Sequence, residues 1–141
     1  MRMSLIKPNF LGMVSRSGWA QKGDQERVLA IRIPRLRFEE LLRDAVPSSF
    51  LGDDEQARLR WKDQVQSSEV RLQWDPDHHP DGAPAERRAI QLGLRGDRLR
   101  DYAHEWPIEV VDMTPFVITQ REHLHDLDAL WTPKESVFAI E

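Results

Sequence analysis

The chain contains no cysteine, which excludes disulfide bonds, thiolate catalysis and zinc sites built on sulfur. Long apolar runs are missing as well, because no stretch approaches the roughly 20 residues that a membrane helix requires. The first ten residues include Arg2, Lys7 and Pro8, so they lack the apolar core of a secretory leader. These absences predict a cytoplasmic protein that does not associate with a membrane.

Proline and glycine together account for only 16 of 141 residues, which is too few for a disordered, low-complexity chain. Apolar residues make up 40% of the sequence, which is enough to form a hydrophobic core. The length is that of one typical domain. We therefore expect a single domain over residues 1–141.

Charge is distributed unevenly along the chain, although the net charge is only −4. Residues 1–37 contain eight Lys or Arg and two acidic residues, whereas residues 38–141 contain 12 and 22. Such a basic segment can attract an anionic ligand or nucleic acid to one face. Alternatively, the basic and acidic parts simply pair with each other in the fold.

Apolar periodicity and the positions of Pro, Gly and Asp predict both helices and strands. Helices are expected to begin near Pro8, Pro34, Asp53 or Asp54, Asp97 and Thr114, the last reaching Trp131. Strands are expected at 27–33, 70–75, 89–94, 108–112 and 136–140, with a long polar connector over 75–87. Because helices and strands do not alternate strictly, we predict an α+β fold: a single small domain with a mostly antiparallel sheet of four to five strands and about five helices.

The polar connector has the spacing of a calcium loop at five positions: Asp75, Asp77, His79, Asp81 and Glu86. However, Pro80 stands where such a loop needs glycine for its sharp turn, so a solvated loop is expected. His123 and His125 are two residues apart on a predicted helix and cannot share one ion. No metal site is therefore expected.

The five tryptophans suggest two roles. Trp61, Trp74, Trp106 and Trp131 lie on apolar faces of predicted elements and are expected in the core. Trp19 follows Arg16 in the basic segment, where it could stack on a ligand.

Strand alternation gives the clearest candidate for a binding surface. If strands 70–75 and 89–94 pair, then Arg71, Gln73 and Gln91 share the face opposite the core, and Gly93 allows a close approach. A guanidinium and two amides suit a phosphate or a nucleobase. The alternative is an ordinary solvated face of an antiparallel sheet.

Several segments of the sequence resemble a bacterial family catalogued as domain of unknown function 4291. They are Ile6-Lys7-Pro8, Arg16-Ser17-Gly18-Trp19, residues 25–31, residues 70–76 and residues 90–94. The chain differs from the family pattern at Gly12, Ser15, Arg87 and Ala89, where the family carries Trp, Tyr, Tyr and Ser. The resemblance also implies that a further N-terminal segment of the family, similar in outline to the opening strand and helix of ADP-ribosyltransferases, is missing here.

Two functions follow as hypotheses. The first is a nucleotide- or nucleic-acid-directed enzyme that is similar to ADP-ribosyltransferases and uses NAD or another nucleotide. Its anionic ligand would be bound by Lys7, Arg16, Arg27 and Arg71, with Gln73 and Gln91 reading a base beside Trp19. The second is a non-enzymatic binding or regulatory module that docks a partner or nucleic acid through the basic segment. The sequence assigns no catalytic residue, cofactor or oligomeric state.

Overall fold

The computed structural model describes residues 3–138 and has an α+β fold. Its α-helices are α1 (Phe10–Ser17), α2 (Arg35–Asp44), α3 (Glu55–Ser67), α4 (Gly96–Arg100) and α5 (Thr114–Arg121). A π-helical turn follows α4 at Asp101–Glu105, and a 3-10 turn spans Leu127–Ala129. The strands are β1 (Ser4–Ile6), β2 (Leu29–Arg32), β3 (Val46–Pro47), β4 (Val70–His78), β5 (Pro84–Leu94) and β6 (Glu109–Asp112). The predicted α+β class is confirmed.

The strands are divided between two sheets. The larger has the order β1-β5-β4-β3, with β1 antiparallel to β5 and β3 parallel to β4. The smaller is an antiparallel pair of β2 and β6, in which Ala30 lies opposite Val111 and Ile31 opposite Val110. The larger sheet is therefore mixed, because the short strand β3 joins it in parallel.

The chain divides into two compact units, each with its own apolar core. The first unit comprises residues 3–6, Ile33–Asp75 and Ile90–Ile108, and the second comprises Lys7–Arg32, Pro76–Ala89 and residues 109–138. The core of the first unit contains Leu41, Val70, Leu92, Leu94 and Trp106. The core of the second contains Val14, Trp19, Ala20, Val28 and Val117.

Helix ends follow the sequence signals closely. The α1 helix ends at Gly18, which adopts a left-handed conformation with φ of 59°, as glycine commonly does after a helix. At the N-terminal end of α3, the Asp54 carboxylate accepts hydrogen bonds from the N–H groups of Gln56 and Ala57 and thereby caps the helix.

Three predictions about elements are wrong. The polar connector is largely strand, because β4 continues to His78 and β5 begins at Pro84, leaving a loop of 79–83 closed by the bond from His79 N–H to Ala83 O. The last helix ends at Arg121 rather than near Trp131. The described part of the predicted terminal strand, 136–138, has no regular structure, and residues 139 and 140 lie outside the described residues.

Of the four tryptophans predicted to lie in the core, two are at least half-buried and two are exposed. Trp106 is buried in the core of the first unit and Trp61 is half-buried. Trp74 and Trp131 are 56% and 73% exposed, so their predicted core positions are wrong. Trp74 lies beyond the part of β4 that packs into the core at Val70 and Leu72, and Trp131 lies beyond the early end of α5.

Within residues 3–138, none of the helices combines the length and apolar character needed to cross a bilayer.

Candidate functional site

A buried carboxylate organises the polar interior of the second unit. Asp77, near the end of β4, is 4% exposed and accepts four hydrogen bonds. Asn9 Nδ2 and His78 N–H each donate to Oδ1 at 2.8 Å. Arg87, on β5, donates to Oδ2 from Nε at 2.9 Å and also from Nη2. We call these four residues, Asn9, Asp77, His78 and Arg87, the Asp77 cluster.

These contacts fix the protonation state of the cluster. Burial raises the pKa of Asp77, but the hydrogen bond with Arg87, the His78 N–H, the charge of Arg87 and the Asn9 amide together hold it below its usual value. The bond with Asp77 and its charge in turn raise the pKa of Arg87. Asp77 is therefore an anion and Arg87 a cation at neutral pH, so these two residues form an ion pair and neither is available for proton transfer.

Two polar atoms of the cluster are buried without a hydrogen-bond partner among the described residues: Asn9 Oδ1 and His78 Nδ1. Asn9 precedes α1 but makes no side-chain capping bond. Its side chain instead lies over Gly12, where an added Cβ would come within 2.6 Å of Nδ2. Gly12, one of the departures from the family pattern, therefore leaves the room that lets Asn9 reach Asp77.

The N-terminal end of α1 already carries an anion. Glu135 Oε2 accepts a hydrogen bond from Phe10 N–H at 3.1 Å, across 125 residues of sequence. The charge of Glu135 also contributes to the raised pKa of Arg87, so the carboxylate lies within the electrostatic reach of this guanidinium. Glu135 belongs to the exposed segment 131–138, which lacks regular secondary structure.

A strained turn follows the other end of α1. Gly18, Trp19 and Ala20 all have positive φ, at 59°, 57° and 66°. Non-glycine residues adopt this conformation rarely and at a cost. Trp19 is 8% exposed and packs edge-on against Phe10, with ring centroids 6.2 Å apart, while its carbonyl accepts a bond from Arg121 at 3.2 Å. The indole ring is thus buried in the core and presents no face for stacking on a ligand.

The predicted ligand residues are shared between the units. Lys7, Arg16, Trp19 and Arg27 belong to the second unit, and Arg71, Gln73 and Gln91 to the first. Lys7 is half-buried and Arg16 is exposed. Arg27 forms a 3.2 Å ion pair with Asp112 that is exposed on both sides.

In the first unit, the predicted polar face is used mainly for internal contacts. Arg71 donates to Val65 O at 3.5 Å, and Gln73 donates to the Asp75 carboxylate at 3.0 Å. The space above Gly93 is filled by Met3, whose sulfur would lie 3.1 Å from an added Cβ. Gly93 therefore makes room for a methionine of the same unit rather than for a ligand.

Two open cavities lie in the first unit. The larger, of about 640 Å³, is lined by the C-terminal ends of α2 and α3 together with β3. The smaller, of about 360 Å³, lies beside Trp106, with the guanidinium carbons of Arg37 and Arg98 at 5.7 and 6.0 Å from its ring centroid. Arg98 lines both cavities but is paired with Asp44 and Glu40, so its charge is already balanced by carboxylates of the same unit.

Across the described chain, no three His, Asp or Glu residues come together in a way that could hold a metal ion. Most of residues 75–86, which have the spacing of a calcium loop, lie on strands β4 and β5 instead, and Asp77 forms an ion pair with Arg87.

The sequence points to two residues of the Asp77 cluster without connecting them. It presents Asp77 only as a candidate metal ligand and Arg87 only as a departure from the family pattern. The short loop that brings their strands together could have been inferred from the Pro80 and Gly82 positions. No sequence signal could have placed Glu135 at the start of α1.

The profile of the family described as Domain of unknown function (DUF4291) matches residues 1–138 of the chain. No curated protein and no solved structure matches it.

Proposed function

The chain belongs to the DUF4291 family, and we propose that it binds a phosphate-bearing ligand of the nucleotide class at the N-terminal end of α1. The observation that carries this proposal is the Glu135 carboxylate, which accepts a hydrogen bond from Phe10 N–H. Helix N-termini favour anions because their N–H groups lack partners within the helix and carry partial positive charge. Glu135 in this view stands in for the ligand.

Arg87 supplies the second contact. Its side chain is 64% exposed even though it binds the buried Asp77, so the guanidinium is held in place by one carboxylate and still meets solvent. A guanidinium positioned in this way suits the bidentate hydrogen bonding of a phosphate. Lys7, two residues before Asn9 in the chain, adds a further cation to the same stretch.

The ligand class follows from the donors that the cluster needs. Asn9 Oδ1 is a buried acceptor without a partner among residues 3–138, and a buried acceptor of this kind is costly to leave unpaired. At neutral pH both a ribose hydroxyl and the remaining proton of inorganic phosphate can donate to it, but only a nucleotide carries such a hydroxyl in addition to its phosphate oxygens. We therefore favour a nucleotide such as NAD or ADP-ribose over inorganic phosphate.

Binding is tested by titration calorimetry with NAD, ADP-ribose, nucleoside monophosphates and inorganic phosphate. Arg87→Ala is expected to weaken binding about tenfold or more, since it removes charge-assisted hydrogen bonds. Glu135→Gln is expected to strengthen binding by roughly threefold to fivefold, because the competing anion is lost. Glu122→Gln, which removes an exposed carboxylate of the same unit, serves as the matched control and should leave binding unchanged.

Opposite effects at Arg87 and Glu135 are the signature of this site, because a merely structural role for Glu135 would not improve binding. Unchanged binding in both variants would contradict the proposal. A short oligonucleotide is the remaining probe: affinity that falls steeply with added salt and is insensitive to Arg87→Ala would favour the basic segment as a nucleic-acid surface instead.

A further inference from the structure

The β2–β6 ribbon, formed by Leu29–Arg32 and Glu109–Asp112, is a sheet of two short strands. Such a ribbon is at best marginally stable in water, and three or more strands with an apolar face are normally needed. Its apolar side chains are nevertheless exposed, with Leu29 at 53% and Val110 at 54%. Within residues 3–138, no further strand pairs with either edge of the ribbon.

The hydrogen-bond pattern shows which groups of β2 face outward. Met113 N–H donates to Val28 O at 2.8 Å, so the backbone carbonyl of Val28 points towards β6. In an antiparallel ladder the N–H and C=O groups of successive residues point alternately to one side and the other. The backbone groups of Ala30 and Arg32 therefore point towards β6, and those of Leu29 and Ile31 point to the open edge of β2.

We propose that a second copy of this chain pairs with this open edge, β2 against β2 in antiparallel orientation. For both outward residues to be paired within β2, Leu29 of each copy must lie opposite Ile31 of the other. Ala30 then lies on the two-fold axis, opposite its own counterpart. The two ribbons become one four-stranded sheet, in which Leu29, Ile31 and Val110 of both copies form a continuous apolar face.

Charge favours β2 over β6 as the self-pairing edge. In β2 the single charged residue is Arg32, and in this register it lies opposite Val28 of the other copy. Pairing through β6 would instead place four carboxylates, Glu109 and Asp112 of each copy, on the two central strands, and the Asp112 backbone faces the open edge. Like charges on neighbouring strands are destabilising, so β6 is the poorer surface for a second copy.

The register has a sharp test because the chain contains no cysteine. Residues in a pair that is not hydrogen-bonded have Cα atoms about 4.5 Å apart, within the range of about 4.4–6.8 Å that a disulfide spans. Ala30→Cys should therefore form a disulfide-linked dimer readily under mild oxidation. Ala83→Cys, at another exposed alanine of the same unit, should form one at least tenfold more slowly.

A second variant tests the backbone contacts. Ile31→Pro removes an N–H group that points to the open edge and leaves the hydrogen bonds between β2 and β6 intact. Edge strands tolerate proline where the missing N–H faces away from the neighbouring strand. Two hydrogen bonds are lost per dimer, so the dimer dissociation constant measured by sedimentation equilibrium should rise about tenfold or more. Ile31→Val keeps the N–H and should change it by less than about threefold.

The proposal is overturned if the native chain stays monomeric at all concentrations and Ala30→Cys crosslinks no faster than Ala83→Cys. It is equally overturned if a dimer forms but keeps its dissociation constant in Ile31→Pro, since the copies would then meet through another surface or another segment would occupy this edge.

Discussion

The C-terminal end of α3 and the N-terminal end of α1 are stabilised by charges of opposite sign. At α3, Arg95 donates to Ser68 O at 2.9 Å and to Gln66 O at 2.5 Å. At α1, the Glu135 carboxylate accepts from Phe10 N–H. Both arrangements match the partial charges of helix ends, negative at the C-terminus and positive at the N-terminus.

The two ends differ in how firmly the charge is held. Arg95 follows β5 directly and is half-buried, so the sheet fixes its backbone. Glu135 is exposed and belongs to a segment without regular structure. Because only the second contact can be exchanged at low cost, α1 is the helix end at which we propose ligand binding, and α3 is the end at which we expect a structural role.

The largest expected effect is at α3. Arg95→Ala leaves the carbonyls of residues 66 and 68 without these donors and should lower the free energy of unfolding by about 3 kcal/mol. Urea denaturation followed by tryptophan fluorescence measures the change. Arg100→Ala, which removes only an exposed pair with Asp97, should cost less than about 0.5 kcal/mol. Equal losses in the two variants would refute the assignment of a structural role to Arg95.

Next in size is the effect of neutralising the Asp77 cluster. Asp77→Asn replaces an anion that Arg87 binds and should lower the free energy of unfolding by about 2 kcal/mol at pH 7. The folded pKa of Asp77 lies below its usual value of 3.8. The stabilisation from ionised Asp77 is therefore complete above about pH 5 and is lost as the pH falls through the folded pKa.

The difference between native chain and Asp77→Asn should consequently shrink as the pH is lowered from 7 towards about 3. Urea denaturation at a series of pH values measures it. Asp53→Asn, at an exposed carboxylate ahead of α3, is the control and should show no such convergence. A constant difference between the native chain and Asp77→Asn at all pH values would contradict the lowered pKa.

Much of the fold was predictable, because short-range signals determine it. Gly18 ends α1, Asp54 caps α3, and the alternation of Val70 and Leu72 marks a strand. The prediction stopped at residue 75 because Pro76, Pro80 and Pro84 all lower strand propensity. Strand β4 continues through Pro76 and β5 begins at Pro84, so Asp77 and Arg87 lie on strands although their sequence context predicts a loop.

The candidate site was less predictable for a different reason. Its contacts join Asn9 to Asp77 and Phe10 to Glu135, over 68 and 125 residues, and neither pair has a local spacing that marks it. Trp19 was expected to be available to a ligand because it lies in a basic segment. Its burial depends on the left-handed turn after α1, which Gly18 predicts for one residue but not for Trp19 and Ala20.

A smaller effect is expected at the exchangeable end of α1. Glu135→Gln removes a carboxylate from a helix N-terminus and should lower the free energy of unfolding by about 0.5 kcal/mol at low salt. Added salt should reduce the difference, since exposed charges are screened. Thermal unfolding at low and high ionic strength measures it, with Glu122→Gln as the control. A loss comparable to that of Arg95→Ala would show that the contact is structural and would remove the distinction between the two ends.

The smallest effect in the native background is expected for Gly12→Ala, where two contributions oppose each other. Alanine favours the helical conformation over glycine by about 1 kcal/mol. Its Cβ would lie 2.6 Å from Asn9 Nδ2 and 2.8 Å from Oδ1, so Asn9 must move and its bond to Asp77 is weakened at a similar cost. The net change in unfolding free energy should be less than about 0.5 kcal/mol.

The effect of Gly12→Ala on the free energy of unfolding should depend on whether Asn9 is present. In the Asn9→Ala variant the crowded side chain is gone, and Gly12→Ala should then stabilise the chain by about 1 kcal/mol. Urea denaturation of the four chains in this double-mutant cycle gives the coupling energy. Gly23→Ala, where nothing lies within 4 Å of the added Cβ, should show no coupling to Asn9. Additive effects of Gly12→Ala and Asn9→Ala would mean that Gly12 does not determine how Asn9 reaches Asp77. Coupling of the expected sign would show that one small residue in the first turn of α1 allows the cluster to form.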